Sequence, residues 1–205
     1  MVTTAAATDR ERERQLITRA RTGDRVALRE IVDLHKDRLF AFIWRMVRDH
    51  HEAEDVCQDA FLKAFASLDT FSSEYRFSTW LFTIGYRVCL NRLRRKRGTA
   101  AEIDFSAMAD PGGKAAGEVV ESEEAGRIRG LVWSAVDQLS PPQRAAVLLF
   151  YRHEFGCQEI ARVLEIPLAT VKSHLHRARA RLREILESST ASELSVFRNF
   201  SERAV

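Results

Sequence analysis

The chain has 205 residues, 45% of them hydrophobic and 30% charged, enough apolar content for one domain or two small ones and too much for disorder throughout. Four prolines and nine glycines, with long stretches free of both, favour helix over sheet, so the expected fold is all-α. The net charge of +3 hides an asymmetry, because residues 98–126 hold seven acids (Glu102, Asp104, Asp110, Glu118, Glu121, Glu123 and Glu124) against Lys114 alone, which leaves +9 on the remainder. Basic lobes around an acidic strip point to a polyanion partner. Cys57, Cys89 and Cys157 are widely spaced within helical patterns and indicate neither a disulfide framework nor a zinc site. No window approaches the ~20 apolar residues of a membrane span, and the N-terminus has no apolar targeting core. A soluble protein of the cytoplasm, without membrane insertion, is expected.

In chain order, residues 1–14 read as a disordered N-terminus, and 15–97 as an N-terminal helical domain. Within it Thr22-Gly23-Asp24 offers a turn and an N-cap, after which Ala27, Leu28, Ile31, Val32, Leu39, Phe42, Ile43 and Met46 recur at helical spacing. Asp49-His50-His51 interrupts that helix, and a second follows through Ala53, Val56, Ala60, Phe61, Ala64, Phe65 and Leu68. The Ser-rich stretch DTFSSEYRFS reads as a loop, with a third helix starting near Thr79. Residues 98–126, with Pro111-Gly112-Gly113 near their middle, form a flexible acidic linker. Periodicity returns at Ile128, Leu131, Val132, Val136 and Leu139, and SPPQR restarts a helix with Ser140 as N-cap and prolines in its first turn. This second small domain covers 127–187; residues 188–205 are a C-terminal tail or a short extra helix.

The stretch CQEIARVLEIPLATVKSHLHRARARLRE, Cys157 to Glu184, carries the sharpest signal. Ile160, Ala161 and Leu164 make one face of a short helix, Glu165-Ile166-Pro167 breaks it, and a new helix begins near Leu168. At 100° per residue Val171, Leu175, Ala178 and Leu182 fall on its core side. Thr170, Ser173, His176 and Arg177 lie opposite, flanked by Lys172, His174 and Arg181. This is the pattern of a helix-turn-helix whose second helix enters a DNA major groove, where Arg and Lys reach phosphates and guanine edges. Arg179 and Arg183 sit nearer the core side and are expected to snorkel or pair locally.

The third helix of the first domain, TWLFTIGYRVCLNRLRRKR, is apolar around much of its circumference, yet Thr83, Arg87, Asn91 and Arg94 form one polar stripe with Trp80 on the same side. A cationic stripe beside an aromatic platform suits DNA whose strands are separating.

The segments HEAEDVCQDAFLKAF, FSTWLFTIGYRVCLNRLRR and LSPPQRAAVLLFYRHEFGCQEIARVLEIPLATVKSHLHRARARLRE resemble, in order and spacing, those of the extracytoplasmic-function (ECF) group of bacterial sigma factors. The resemblance covers residues 15–97 and 127–186, about 70% of the chain. It implies a subunit that joins core RNA polymerase, brings it to promoter DNA and assists melting, with no catalytic residues, no cofactor, no metal and no small-molecule substrate of its own. By the same resemblance Asp55, Gln58, Asp59, Phe61 and Leu62 would bind core polymerase. The loop Phe71 to Ser78 would capture a flipped base, with Phe71, Ser72, Ser73, Tyr75 and Phe77 as the candidate pocket groups. The helix carrying Trp80, Thr83, Arg87, Asn91 and Arg94 would read the minus-10 element. Thr170, Lys172, Ser173, His174, His176, Arg177 and Arg181 would bind the minus-35 element. The family's acidic linker lies in polymerase channels otherwise used by nucleic acid, and most members are held silent by an anti-sigma factor. Glu165, Ala169 and His174 depart from the Gly, Gly and Arg common in the family.

Two other readings are weaker. An autonomous helix-turn-helix repressor or activator leaves the Trp80 helix and the acidic linker unexplained, and an enzyme lacks support from any glycine-rich phosphate loop or metal-ligand cluster.

Overall fold

The computed structural model describes the backbone of residues 2–99 and 123–202 and the side chains of 10–95 and 126–188. All regular elements among the described residues are helical: α1 (Val2–Arg21), α2 (Arg25–Val47), α3 (His50–Ala66), a 3-10 turn (Leu68–Thr70), α4 (Phe77–Thr99), α5 (Glu123–Asp137), α6 (Pro141–Val147), a π segment (Leu148–Arg152), α7 (Cys157–Leu164) and α8 (Leu168–Glu202). The all-α expectation holds.

Local chemistry explains the breaks. Gly23, with φ +84°, lets the chain reverse after α1, and Asp24 Oδ1 caps α2 by accepting from the Val26 and Ala27 amides at 2.8 and 3.2 Å. Asp49 repeats the device for α3, accepting from Glu52 N at 2.8 Å, so His50 and His51 belong to α3 rather than to the break before it. Pro141 and Pro142 open α6, where no intrahelical N–H is needed. The helix then widens: His153 N bonds Leu148 O, five residues back, at 3.2 Å.

Two further boundaries differ from the sequence expectation. The backbone is helical from Val2, through the 1–14 stretch read as disordered; three consecutive alanines and an alternating Arg/Glu run are good helix formers that apolar patterning does not register. Helix α8 continues to Glu202, so the stretch read as a tail or short extra helix extends the recognition helix itself. Most of the acidic linker, residues 100–122, lies outside the described residues.

The first four helices bury Leu39, Phe42, Ile43 and Met46 of α2 against Val56, Ala60 and Ala64 of α3 and Leu81, Phe82 and Cys89 of α4. Gly85 brings α4 close to α2: a Cβ there would lie 2.9 Å from Leu39 Cδ1. Ala145, Leu148, Leu149, Ile160 and Val163 pack against Val171, Leu175 and Ala178 of α8 as a second focus.

The two foci join in one apolar cluster. Helix α7 lies on α4, and the Phe82 ring sits 5.1 Å from those of both Phe155 and His153. Arg38 donates to the His153 carbonyl at 2.9 Å, and the Arg45 guanidinium is sandwiched between Trp44 and Trp133 at 4.5 and 3.8 Å. Among the described residues no helix is long and apolar enough to cross a membrane.

Candidate nucleic-acid interface

Helix α7, the turn and α8 form the helix-turn-helix. Glu165 closes α7 in the left-handed conformation (φ 56°, ψ 43°), and the Ile166 and Glu165 amides bond Ala161 O and Arg162 O at 3.1 and 3.2 Å. Because α8 buries Val171, Leu175 and Ala178, it turns Lys172, His176 and Arg177 to solvent, with Thr170, Ser173 and His174 half-buried beside them. Arg181 is exposed and donates to Glu184 at 2.8 Å. Arg179 bonds the Tyr151 hydroxyl at 2.7 Å, the local pairing anticipated for it.

On α4, Trp80 is half-buried, packed on Phe71 and Phe77 with ring centroids 5.3 and 5.5 Å away. Thr83 turns its hydroxyl back to Thr79 O at 2.9 Å. Asn91 and Arg94 are exposed, Arg94 beside a crease lined by Leu90, Leu93, Pro141 and Pro142. Arg87 is engaged: its Nε donates to Glu165 Oε2 at 2.8 Å and its Nη2 to Glu165 Oε1. That hydrogen-bonded pairing raises the Arg87 pKa and lowers that of Glu165.

The residues leading into α4, Phe71 to Phe77, separate into two groups. Phe71 and Phe77 are only 6% and 1% exposed and belong to the core, whereas Ser72, Ser73 and Tyr75 face outward. Arg21 ties the loop to α1 by donating to the carbonyls of Leu68 and Phe71. The Tyr75 ring carries the guanidinium of Arg162, from α7, at 4.3 Å. Glu159 of α7 accepts from Thr79 Oγ1 at 3.4 Å and lies 3.7 Å from Arg76 Nε. Sequence reading missed Arg21, Glu159 and Arg162 as participants; two acids, Glu159 and Glu165, in an otherwise cationic motif were the available signal for α7.

Asp55, Gln58, Asp59 and Leu62 line the exposed face of α3, with Asp55 Oδ2 3.6 Å from Arg92 Nη2. Phe61 is 7% exposed and packs inward near Phe65, supporting this face from behind.

Other reactive groups are structural. The thiols of Cys57 and Cys89 are buried and pushed up to about 11 and about 12 by desolvation, which keeps them protonated and inert. His50, His51 and Glu54 bring ligand atoms within 4.8 Å of one another at an exposed helix start. His153 is buried, its Nε2 without a hydrogen-bond partner; desolvation first, then Arg38 and Arg152, pushes its pKa down to about 4, so it is neutral.

Residues 31–99 match the family model for sigma-70 region 2, and residues 129–182 that for sigma-70 region 4. The chain is 32% identical to the ECF RNA polymerase sigma factor SigW of Bacillus subtilis over 83% of this chain and 94% of that protein. It is 30% identical to the RNA polymerase sigma-H factor of Pseudomonas aeruginosa over 86% of this chain and 95% of that one. Among solved structures it is similar to the sigma factor RpoE crystallised with the anti-sigma factor NepR from Bartonella quintana: TM-score 0.59, 27% identity, 78% of this chain and 96% of that chain covered. CnrH, solved in complex with the cytosolic domain of CnrY, shares the fold at TM-score 0.62 and 24% identity, over 86% of this chain and 97% of that one.

Proposed function

The chain belongs to the ECF group of RNA polymerase sigma factors, promoter-directing initiation factors, and from that membership we propose how its parts divide the work. The unit 15–97 takes core polymerase and the minus-10 element, the unit 127–187 takes the minus-35 element, and the acidic stretch 98–126 links them. It acts in the cytoplasm by binding alone, and the nucleotidyl chemistry belongs to the polymerase.

The observation that carries the reading is the division of α8, which buries Val171, Leu175 and Ala178 and leaves Lys172, His176 and Arg177 facing outward along one cationic side. Such a helix can enter a major groove with its first two turns. Core polymerase meets the exposed face of α3, where acid and amide groups flank the Leu62 side chain, 59% exposed, as suits a helical partner with a basic rim. Asn91, Arg94 and Arg87 of α4 track the backbone of a separated strand, with Tyr75, Ser72 and Ser73 at the base-capturing loop. An anti-sigma factor is the expected regulator, since a relative of the same fold was crystallised with one.

Transcription with added core polymerase tests the proposal. The protein should footprint and open promoter DNA only when polymerase is present. Arg177→Ala or Lys172→Ala should weaken minus-35 recognition by ~1–3 kcal/mol if a base edge is contacted, and leave polymerase binding intact. A footprint by the protein alone on a palindromic site would overturn it.

A further inference from the structure

The exposed stretch proposed for base capture leaves the core at Phe71 and returns to it at Phe77. Just upstream, α3 gives way to the 3-10 turn Leu68–Thr70, a single turn that leaves carbonyls short of intrahelical partners. Arg21, the final residue of α1, meets two of them. Its Nε donates to Leu68 O at 3.3 Å and its Nη2 to Phe71 O, 47 and 50 positions along the chain. The Phe71 ring is gripped as well, its centroid 5.4 Å from that of Phe77 and 5.3 Å from that of Trp80. Phe71 is thus fixed at backbone and side chain together. Beyond it Ser72 to Arg76 are exposed and fold back locally, the Tyr75 amide donating to Ser72 O and the Glu74 amide to Ser72 Oγ, each at 3.3 Å. The direction in which Ser72, Ser73 and Tyr75 reach solvent is therefore set at the Phe71 carbonyl.

Arg21 is itself held in place. Leu16, Ile17 and Ala20 of α1 are buried where α1 packs on α2. Gly23, at φ +84°, turns the chain directly after the helix, and Arg19 Nη2 pairs with Asp24 Oδ2 at 2.7 Å across that turn. A guanidinium presents several donors in one plane, so one side chain spans two carbonyls where an ammonium is a single point of attachment. Arg21 also lies outside residues 31–99, the part matched by the sigma-70 region 2 model. It reaches the loop through a tertiary contact, not through the segment that defines the domain.

We propose that Arg21 is a positioning residue for promoter melting: by holding the Leu68 and Phe71 carbonyls from α1, it presents Ser72, Ser73 and Tyr75 in the orientation that receives a base leaving the duplex. The proposal rests on the assignment of this stretch to base capture. Extruding a base costs stacking and pairing free energy, and a receptor that must order itself at the same moment offsets less of that cost. Loss of Arg21 is then felt in opening, not in promoter binding, because the minus-35 contacts and the polymerase face are assigned to other elements.

The test uses the full-length protein with core polymerase, and follows closed-complex formation, the melting rate of a duplex promoter and the fluorescence of 2-aminopurine placed in turn at each minus-10 position. Arg21→Ala should form the closed complex as wild type does, melt several-fold more slowly and lose part of the 2-aminopurine change at the captured position. Arg21→Lys, which keeps the charge and one of the two bonds, should recover part of the rate. Arg19→Ala breaks the ion pair with Asp24 at the same helix end and should melt at the wild-type rate, which separates positioning of the loop from a loosened α1. Because Arg21 acts through the loop, Arg21→Ala combined with Tyr75→Ala should slow melting by less than the product of the two single effects. Wild-type melting by Arg21→Ala, equal slowing by Arg19→Ala, or single effects that simply multiply would overturn the proposal. Wild-type melting by Tyr75→Ala would instead remove the base-capture assignment, and this proposal with it.

Discussion

Glu154 and Glu165 both hold positive φ, at 58° and 56°, yet only Glu165 has a partner that uses the position. Glu154 is exposed in the turn that follows the π segment. Glu154→Gly should therefore stabilise the protein by ~1 kcal/mol, measured by urea unfolding, because glycine carries no Cβ penalty there. A loss of stability would contradict the strain assigned to that turn. His153 makes the opposite kind of prediction. Its folded pKa, about 4, lies below the ordinary 6.5, so between those values the unfolded chain binds more protons than the folded one. Stability is then complete above pH ~6.5, falls as pH drops through that window and flattens below about 4, a loss on the order of 3 kcal/mol at most. His153→Phe keeps a ring among Phe42 and Phe82 and should flatten this part of the profile. An unchanged slope between pH 7 and 5 would assign the titration to other groups.

At the scale of elements, the stretch from Phe71 to the first residue of α4, Phe77, is half structure and half surface. Phe71 and Phe77 are core residues, so Phe71→Ala or Phe77→Ala should cost ~3–5 kcal/mol and lower promoter opening through instability. Tyr75→Ala is the clean probe of base capture, since its ring is 44% exposed. It should leave the closed promoter complex intact and slow melting, and DNA premelted at the minus-10 bases should partly rescue it because the unpairing cost is removed in advance. Melting of duplex promoter at the wild-type rate by Tyr75→Ala would remove the loop from base capture. Helix α8 divides in the same way: one face closes the core while the other, the face proposed for DNA, is open to solvent, so core and outer-face substitutions should separate cleanly in stability assays.

For the whole molecule, the consequence of the continuous cluster is cooperativity. Phe82, Phe155 and His153 couple the α1–α4 core to the helix-turn-helix through buried ring contacts rather than through the linker alone. Thermal unfolding of the free protein should follow a single transition, and Phe155→Ala should split or broaden it by removing the shared ring. Two well-separated transitions in the wild type would mean that the interface adds little to either unit.

The N-cap Asp24, the helix-turn-helix and the outward placement of His176 and Arg177, with Lys172 on their flank, were legible in the sequence, because each is encoded by spacing within a few turns of one helix; the first helix, α1, was not. The expected face of α3 came from the family resemblance; helical spacing puts Phe61 of that set on the apolar side with Ala60 and Ala64, where it is buried. Only the tertiary structure decided that Phe71 and Phe77 belong to the core while Tyr75 does not, since all three are aromatics in one aperiodic stretch of sequence and the signal that separates them is what packs on them. It alone joined Arg87 to Glu165 across 78 positions and Tyr75 to Arg162. Charge pattern along a chain records which groups are available for pairing; which pairs form is set by the apolar contacts that bring distant helices together, and those leave no local signature.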